Sequence, residues 1–194
     1  MTREPHDEPA RQVVDGDGKT FSDLFGRFWD TTIGQGETDH QVGVIERELR
    51  LAPGDRVLVL PVGAGRIALA LAGRGYAVLG IDSCPDAVER CEMLAVRTGS
   101  AAEFRCFDLD DPGQWRVGAA VCLGWPGPPD QLATWLGAAL TANGRALIDL
   151  GVTDGWDAWA EALDEAGIVP LGGCADLWGQ DGDKARRAIV AARS

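Results

Sequence analysis

Short apolar runs alternate with segments of helical periodicity along most of this chain, and that alternation constrains its fold more than any other feature. The helical segments carry apolar residues three and four positions apart, and several of them end at glycine. The segments predicted as strands are RVLVLP, YAVLGID, AEFRCFDL, AAVCLG and RALIDLG, and the first of them is an apolar, β-branched run typical of a buried parallel strand. This alternation predicts an α/β fold, in which a doubly wound sheet binds its ligand beyond the carboxyl ends of its strands.

The last two apolar runs differ from the others, because no segment of helical length separates IVPLGG from RRAIVAA. Parallel strands need a long crossover connection, usually a helix, so strands joined without one pair antiparallel. We therefore predict a seven-stranded sheet that is mostly parallel and has an antiparallel carboxyl-terminal hairpin.

Helix boundaries are predicted from residues that commonly begin or end helices. Thr38 or Asp39 precedes apolar residues at helical spacing, which indicates that a helix begins there. Ser83, followed closely by Pro85, caps a second helix, SCPDAVERCEMLAVRTG. A later helix, PDQLATWLGAALTANG, is predicted to run up to the glycine turn before the fifth strand.

Length and composition suit one domain. With 194 residues, 45% of them hydrophobic, the chain can bury one sizeable core. Residues 1–20 are polar and lack periodicity, so we expect a flexible N-terminal arm ahead of a single domain over residues 21–194. No apolar run reaches the roughly 18 residues that span a bilayer, and the N-terminus lacks the apolar core of a signal peptide. We expect a cytoplasmic protein.

The charge balance narrows the range of partners. The chain has 30 acidic and 18 basic residues and a formal net charge of -12. Such a chain repels polyphosphates, so nucleic acid and anionic membranes are poor partners unless the fold gathers a local basic patch. A small-molecule substrate is favoured, and a protein partner or a homodimer is left open.

Five cysteines and two histidines limit the metal and disulfide chemistry of the chain. The cysteines form no C-x-x-C pair and their number is odd, which argues against a disulfide framework and against a cysteine zinc site. We expect no metal site, and we expect the cysteines to be small buried hydrophobic residues. They are Cys84, Cys91, Cys106, Cys122 and Cys174.

The first strand runs into a glycine-rich turn, VLVLPVGAGR, at the place where a doubly wound sheet binds its ligand. Gly63 and Gly65 permit close approach of the backbone, and the helix that follows offers free N–H groups to a carboxylate or a phosphate. With Ala68, GAGRIA also satisfies the dinucleotide pattern G-x-G-x-x-A, so a nicotinamide cofactor is an alternative.

Over about residues 40–192, the chain resembles the class I S-adenosylmethionine-dependent methyltransferases of the small-molecule type. The segments that carry the resemblance are VLVLPVGAGRIALALAGRGYAVLGID, FRCFDLDD and LGAALTANGRALIDLG. Four features support this family over a dehydrogenase. They are a helical segment before the first strand, an acidic residue after the third strand, a glycine turn before the fifth strand and a closing strand pair. The resemblance implies a Rossmann-like fold and S-adenosylmethionine as cofactor.

The resemblance also implies which residues hold that cofactor. The loop beside the methionine portion comprises Val62, Gly63, Ala64 and Gly65, and Asp82, 17 residues after Gly65, accepts hydrogen bonds from both ribose hydroxyls. The remaining positions follow the second, third and fourth strands. They are Ser83 beside Asp82; Cys84, Asp108 and Leu109 around the adenine; and Gly124 with Trp125 beneath the methyl group.

One departure from the family leaves the function open. Val59 stands where the family usually has an acidic residue that helps to bind the cofactor's amino group, whereas Pro61 is compatible with the family's loop. We expect a methyltransferase that acts on a small apolar or aromatic acceptor. The alternatives are a non-catalytic or regulatory subunit with the same fold and a cofactor-binding cyclase.

No motif identifies a catalytic base, and methyl transfer needs one only for acceptors such as hydroxyls or carbon acids. The candidate bases are His40, Asp149 and Asp154, with Asp30 a further one. The segment GWPGPPD lacks the Asn/Asp-Pro-Pro-aromatic signature of amino-group methyltransferases, which weakens an exocyclic amine as acceptor. Trp29 and Trp125 are the candidate residues of the substrate pocket.

Overall fold

The computed structural model of the protein describes residues 35–107, 115–151, 156–174, 177 and 187–194. Its strands are β1 (Arg56–Val59), β2 (Ala77–Asp82), β3 (Glu103–Cys106), β4 (Val117–Cys122), β5 (Leu140–Gly151), β6 (Ile168–Gly173) and β7 (Arg187–Arg193). The helices of these ranges are α1 (Gln35–Leu49), α2 (Arg66–Gly73), α3 (Pro85–Thr98), α4 (Pro129–Ala139) and α5 (Trp156–Glu165).

The seven strands form one sheet in the order β3-β2-β1-β4-β5-β7-β6. Strands β1 to β5 pair in parallel, and β7 lies antiparallel between β5 and β6. The predictions of a mostly parallel, doubly wound sheet and of an antiparallel last pair are therefore confirmed. The strand order reverses between β1 and β4, so the loop after β1 lies at the switch point, where such sheets bind ligands.

Two clusters of buried apolar side chains cover the two faces of the sheet. Successive residues of β1 point to opposite faces, so Val57 and Val59 join one cluster while Leu58 and Leu60 join the other. Helices α1, α2 and α3 contribute to the first cluster, and α4 and α5 to the second. The glycine-rich loop after β1 is therefore attached to a strand that is buried on both faces.

Two helices start at residues other than the predicted caps. Helix α1 begins at Gln35, and Thr38, predicted as its cap, is buried within the helix and accepts a hydrogen bond from Arg66 Nη1 at 3.3 Å. Helix α3 has Cys84 rather than Ser83 as its N-cap, with no side-chain hydrogen bond from Cys84. The carboxylate of Asp82 accepts from the Cys84 N–H at 3.0 Å, so it holds the N-cap residue in place without capping the helix itself.

Helix α4 ends earlier than predicted, at Ala139. The predicted glycine turn lies inside β5, where the register with β4 jumps from Leu140 to Arg145. Asn143 has a positive φ of 61°, and a Cβ at Gly144 would lie 2.8 Å from the Thr141 carbonyl oxygen. A tight turn of this kind is incompatible with a helix, which explains why the helical periodicity stops short of the glycine.

All five cysteines are free, and the prediction that they are buried is correct for three of them. Cys91, Cys122 and Cys174 are buried, whereas Cys84 is half-buried and Cys106 is exposed. The prediction is wrong for Cys106 because β3 is an edge strand that buries only Phe104.

The flexible arm predicted for residues 1–20 lies outside the described residues. In the part of the chain that the structure describes, no helix has both the length and the apolar character needed to cross a membrane.

We predict that replacing Gly80 of β2 by alanine destabilises the fold. A Cβ at Gly80 would lie 2.7 Å from both the Phe104 ring and the Val62 side chain, and both side chains are buried. Overpacking of this kind costs about 1–3 kcal/mol, which urea unfolding followed by circular dichroism will measure.

Gly43→Ala is the matched control, since Gly43 lies in α1 and a Cβ there meets nothing within 4 Å. This change should stabilise the protein by about 0.5–1 kcal/mol, because alanine is the better helix former. Equal unfolding midpoints for the two variants would contradict the close packing assigned to Gly80.

Candidate functional site

The loop between β1 and α2 presents its backbone to solvent at one glycine and packs tightly at the other. Gly63 has a φ of 53°, and a Cβ there would meet nothing within 4 Å. Gly65 has a φ of 81°, and its Cβ would lie 2.8 Å from Cys91 Sγ of α3. A ligand can therefore approach the backbone at Gly63, while Gly65 lets α3 pack beneath the loop. Because Gly65 is also the N-cap of α2, no side chain caps that helix end.

The carboxylate of Asp82 connects this loop to the end of β2. Its Oδ2 accepts a hydrogen bond from the Gly63 N–H at 2.9 Å, and its Oδ1 accepts one from the Cys84 N–H at 3.0 Å. A backbone bond from the Val62 N–H to the Ile81 carbonyl, 2.8 Å long, fixes the loop at a second point. One side chain thus sets the positions of the loop after β1 and of the first turn of α3.

Burial and hydrogen bonding shift the pKa of Asp82 in opposite directions. The side chain is buried, and this raises its pKa above the ordinary value of 3.8, although the N–H groups of Gly63 and Cys84 and the charge of Arg90 oppose the rise. Asp82 therefore contributes stability that is present below its ordinary pKa and is lost as pH rises through the raised one. In its charged form a carboxylate has about four acceptor positions, so two amide donors leave capacity for hydroxyl donors.

The end of β3 lies beside Asp82. Cys106 is the register partner of Asp82, and the Phe107 N–H donates to the Asp82 carbonyl at 3.2 Å. Partial desolvation of the Cys106 side chain, with smaller effects of Asp82 and Cys84, raises the pKa of its thiol although the residue is exposed. The structure thus brings Cys84 and the third strand's end next to Asp82. The predicted adenine residues Asp108 and Leu109 lie outside the described residues.

Gly124, the second residue after β4, has a φ of 77°. The Trp125 side chain that follows is half-buried and packs against the second core cluster. Its indole Nε1–H donates to the Pro128 carbonyl at 3.1 Å. Trp125 therefore offers a neighbouring ligand an apolar ring rather than a free N–H. Trp29, its predicted companion, lies outside the described residues.

The candidate bases occupy different environments. His40 is exposed on α1, while Asp149 is buried near the carboxyl end of β5. The Asp149 charge adds to burial in raising the pKa of the Cys122 thiol well above its usual range. Asp30 and Asp154 lie outside the described residues. Asp149 is thus a described carboxylate close to the ligand-binding edge of the sheet.

Val59 lies in the core and supplies no charge to the loop. Its side chain is buried in the first cluster, and its backbone is in register with Gly80 of β2 and Val121 of β4. Among the described residues, Asp82 is the acidic side chain that contacts the loop directly.

Within the described part of the chain, no group of three or more His, Cys, Asp or Glu side chains could hold a metal ion.

Sequence reasoning did not identify the environments of three polar residues on α1, α2 and α3. Arg66, which follows the loop, donates to Thr38 of α1, and Cys91 donates to the Gly63 carbonyl at 3.5 Å. One helical turn beyond Thr38, Gln41 is fully buried, and neither its amide nitrogen nor its oxygen has a hydrogen-bond partner among the described residues. The helical spacing of Cys91 and Gln41 indicates burial, but spacing alone does not show what a buried polar atom contacts.

Comparison with known proteins gives structural matches only. No protein-family model matches the sequence, and no curated protein matches it. A TehB-like S-adenosylmethionine-dependent methyltransferase from Corynebacterium glutamicum is similar with a TM-score of 0.70 and 20% identity, over 89% of this chain and 98% of that one.

Two further solved structures show the range of chemistry on this fold. Magnesium protoporphyrin IX methyltransferase from Synechocystis, with bound S-adenosylmethionine, has a TM-score of 0.65 and 16% identity, over 89% of this chain and 97% of that one. The [4+2]-cyclase SpnF has a TM-score of 0.64 and 17% identity, over 80% of each chain. These matches confirm the Rossmann-like fold of class I S-adenosylmethionine-dependent methyltransferases for this chain.

We predict that Gln41→Leu raises the free energy of unfolding. A buried polar group without a partner costs about 1–3 kcal/mol, and leucine has a similar volume without that cost. Gln41→Glu is the contrasting variant, because it places an ionisable group at the same position and should destabilise the protein. Urea unfolding will measure both, and a clear loss of stability in Gln41→Leu would contradict the absence of a partner.

Proposed function

We propose that the protein is an S-adenosylmethionine-dependent methyltransferase that acts on a small apolar or aromatic acceptor. The observation that carries this proposal is the Asp82 carboxylate, hydrogen-bonded to the glycine loop at the switch point of the sheet. The antiparallel β7 and the solved methyltransferases with the same fold support this cofactor over a nicotinamide dinucleotide. We assign the function to a single domain, residues 21–194, of a cytoplasmic protein.

The described residues fit this cofactor. The open backbone at Gly63 would accommodate its methionine portion, together with Val62, Ala64 and Gly65. Asp82 has acceptor capacity for two ribose hydroxyls in addition to the two amides it already binds. The remaining assignments follow those predicted from the sequence: Ser83 beside Asp82; Cys84, Asp108 and Leu109 around the adenine; and Gly124 near the methyl group.

The chain's own contribution to the reaction is alignment. The bound cofactor supplies an activated methyl group on a sulfonium. Asp82 and the loop hold the donor side in place, and correct orientation supplies most of the rate gain in such a transfer. The Trp125 ring, with Trp29, would form apolar walls that orient an apolar or aromatic acceptor and exclude water.

For an acceptor that must lose a proton, Asp149 is the candidate base that the fold favours. Its position near the carboxyl end of β5 is on the same edge of the sheet as the loop, whereas His40 is exposed on α1. Asp154, a few residues beyond Asp149, is the second candidate in this region.

The buried Val59 is the observation that favours other functions on this fold. Losing one charge-assisted contact to the cofactor's amino group costs about 1.5–3 kcal/mol, or roughly 10- to 100-fold in affinity. A weak site of this kind is compatible with a non-catalytic or regulatory subunit. The similarity to SpnF supports a cyclase as the further alternative.

Calorimetric titration of the purified protein with S-adenosylmethionine, S-adenosylhomocysteine and NAD tests the cofactor assignment. We expect saturable binding of both sulfur compounds and none of NAD. The absence of heat with either sulfur compound up to millimolar concentration would refute the proposal, and NAD binding alone would favour a dehydrogenase. Methyl transfer to a panel of phenols and other small aromatic acceptors then separates the enzyme from the non-catalytic alternative.

We predict that Asp82→Ala weakens S-adenosylhomocysteine binding at least about tenfold, because two ribose hydroxyls lose a charged acceptor. The control is Glu89→Ala, which removes an exposed carboxylate of α3 and should leave affinity unchanged. Because Asp82 also fixes the loop, circular dichroism must show that the variant is folded. An unchanged affinity in folded Asp82→Ala would remove the ribose assignment.

The affinity for S-adenosylhomocysteine should also fall as pH is lowered, starting above 3.8, since burial raises the Asp82 pKa. Protonation removes acceptor positions from the carboxyl group, so the charged form binds the hydroxyls better. Folded Asp82→Asn should bind weakly at neutral pH and lack this pH dependence. Parallel pH profiles for the wild type and Asp82→Asn would contradict the role of Asp82.

A further inference from the structure

A cavity that is open to solvent, with a volume of about 530 Å³, lies at the edge of the sheet opposite the glycine loop. It is bordered by the end of α1, the starts of β1 and β4, and the turn within β5. The four arginines that line it are Arg50, Arg56, Arg116 and Arg145, with Asp55 as the acidic residue among the lining side chains. The length of β1 separates this cavity from the loop, so the two belong to different sites.

None of these arginines has a carboxylate of a described residue within salt-bridge distance. Arg116 donates to the carbonyls of Trp115 and Ala138, and Arg145 donates to the Glu48 carbonyl at 3.1 Å. Neutral carbonyls leave the positive charges in place.

Helix capping explains only part of this cluster. The carbonyls of Glu48 and Ala138 belong to the last turns of α1 and α4, where cations are favourable. Each of these bonds uses one of the five N–H groups of a guanidinium. Arg50 and Arg56 have no such bond to a described residue, so capping gives no reason for their presence. Concentrating four of the chain's 18 basic side chains in one place costs electrostatic repulsion that a bound anion would relieve.

The backbone at the cavity is strained at two positions. Arg50 has a φ of 56° and Asn143 a φ of 61°, and these are the non-glycine residues with positive φ among those described. Both line the cavity. Arg50 follows the last residue of α1, at a left-handed position that glycine usually occupies. Retaining arginine where glycine fits more easily indicates that its side chain has a use, and strained residues cluster at ligand sites.

We propose that this cavity binds a small polyanion that carries two or more phosphate groups. Guanidinium groups match phosphate oxygens with paired hydrogen bonds, and several of them around one cavity suit a diphosphate or triphosphate. The volume is in the range of small-molecule sites. The acidic charge of the whole chain excludes extended polyanions from its surface, whereas this local patch accepts a compact one.

Calorimetric titration with pyrophosphate and tripolyphosphate at low ionic strength tests the proposal on the full chain. We expect saturable one-site binding that weakens as salt is added, with orthophosphate and citrate binding more weakly. Adenosine diphosphate, titrated in parallel, distinguishes a nucleotide from a free polyphosphate as the source of the phosphates. The absence of saturable binding of every one of these phosphates at low millimolar concentration would overturn the proposal.

Two variants locate the site. Arg56→Gln removes one unpaired charge, and Arg50→Gly removes another while relieving the strain at its positive φ. Each should weaken pyrophosphate binding at least about tenfold, and Arg50→Gly should keep or raise the melting temperature. The control is Arg97→Gln, which removes the same charge from an exposed position on α3 and should bind like the wild type.

Two results would place the anion elsewhere. An equal loss of affinity in Arg97→Gln would show that only the overall charge matters. Displacement of pyrophosphate by S-adenosylhomocysteine, or loss of pyrophosphate binding in folded Asp82→Ala, would place it at the glycine loop. Either result overturns the proposal without affecting the test of the cofactor, which uses a different ligand.

Discussion

The double hydrogen bond of the Asp82 carboxylate is the interaction on which the candidate site depends. It joins the Gly63 amide, which follows β1, to the Cys84 amide, which begins α3. Its position next to the loop backbone comes from the parallel register of β1 and β2. Burial makes the charged carboxylate costly, and the amide donors offset part of that cost. The same group therefore links the architecture of the sheet to the chemistry of its ligand-binding edge.

The sequence predicts much of the fold because burial imposes periodicity. Runs such as VLVLP and AAVCLG are apolar at every position, as expected for strands covered on both faces. Contacts between side chains that are distant in sequence leave no such pattern in the sequence. Thr38 fits a helix cap in the sequence, yet it lies within α1 and accepts a hydrogen bond from Arg66, which is distant in sequence. Cys106 fits a buried cysteine, but strand order places it on the edge.

The candidate site, like the fold, combines residues that the sequence predicts with residues that it does not. The glycines, Asp82 and their spacing identify the loop in the sequence. The loop needs glycine for its backbone conformation and a carboxylate acceptor at the end of the next strand. The arginine cavity could not be predicted, since its members come from four separate segments that only the fold brings together. Val59 is a core residue in β1, which accounts for its apolar character but leaves the cofactor's amino group without the family's usual acidic partner.

The position of β7 between β5 and β6 has a consequence for how this edge of the sheet is held. Among the described strands, β6 lies at the end of the sheet and pairs with β7. Its attachment to the other strands therefore depends on the pairing of β7 with β5, a contact between segments far apart in sequence. When β7 detaches from β5, β6 is carried away from the sheet with it or loses its backbone partner.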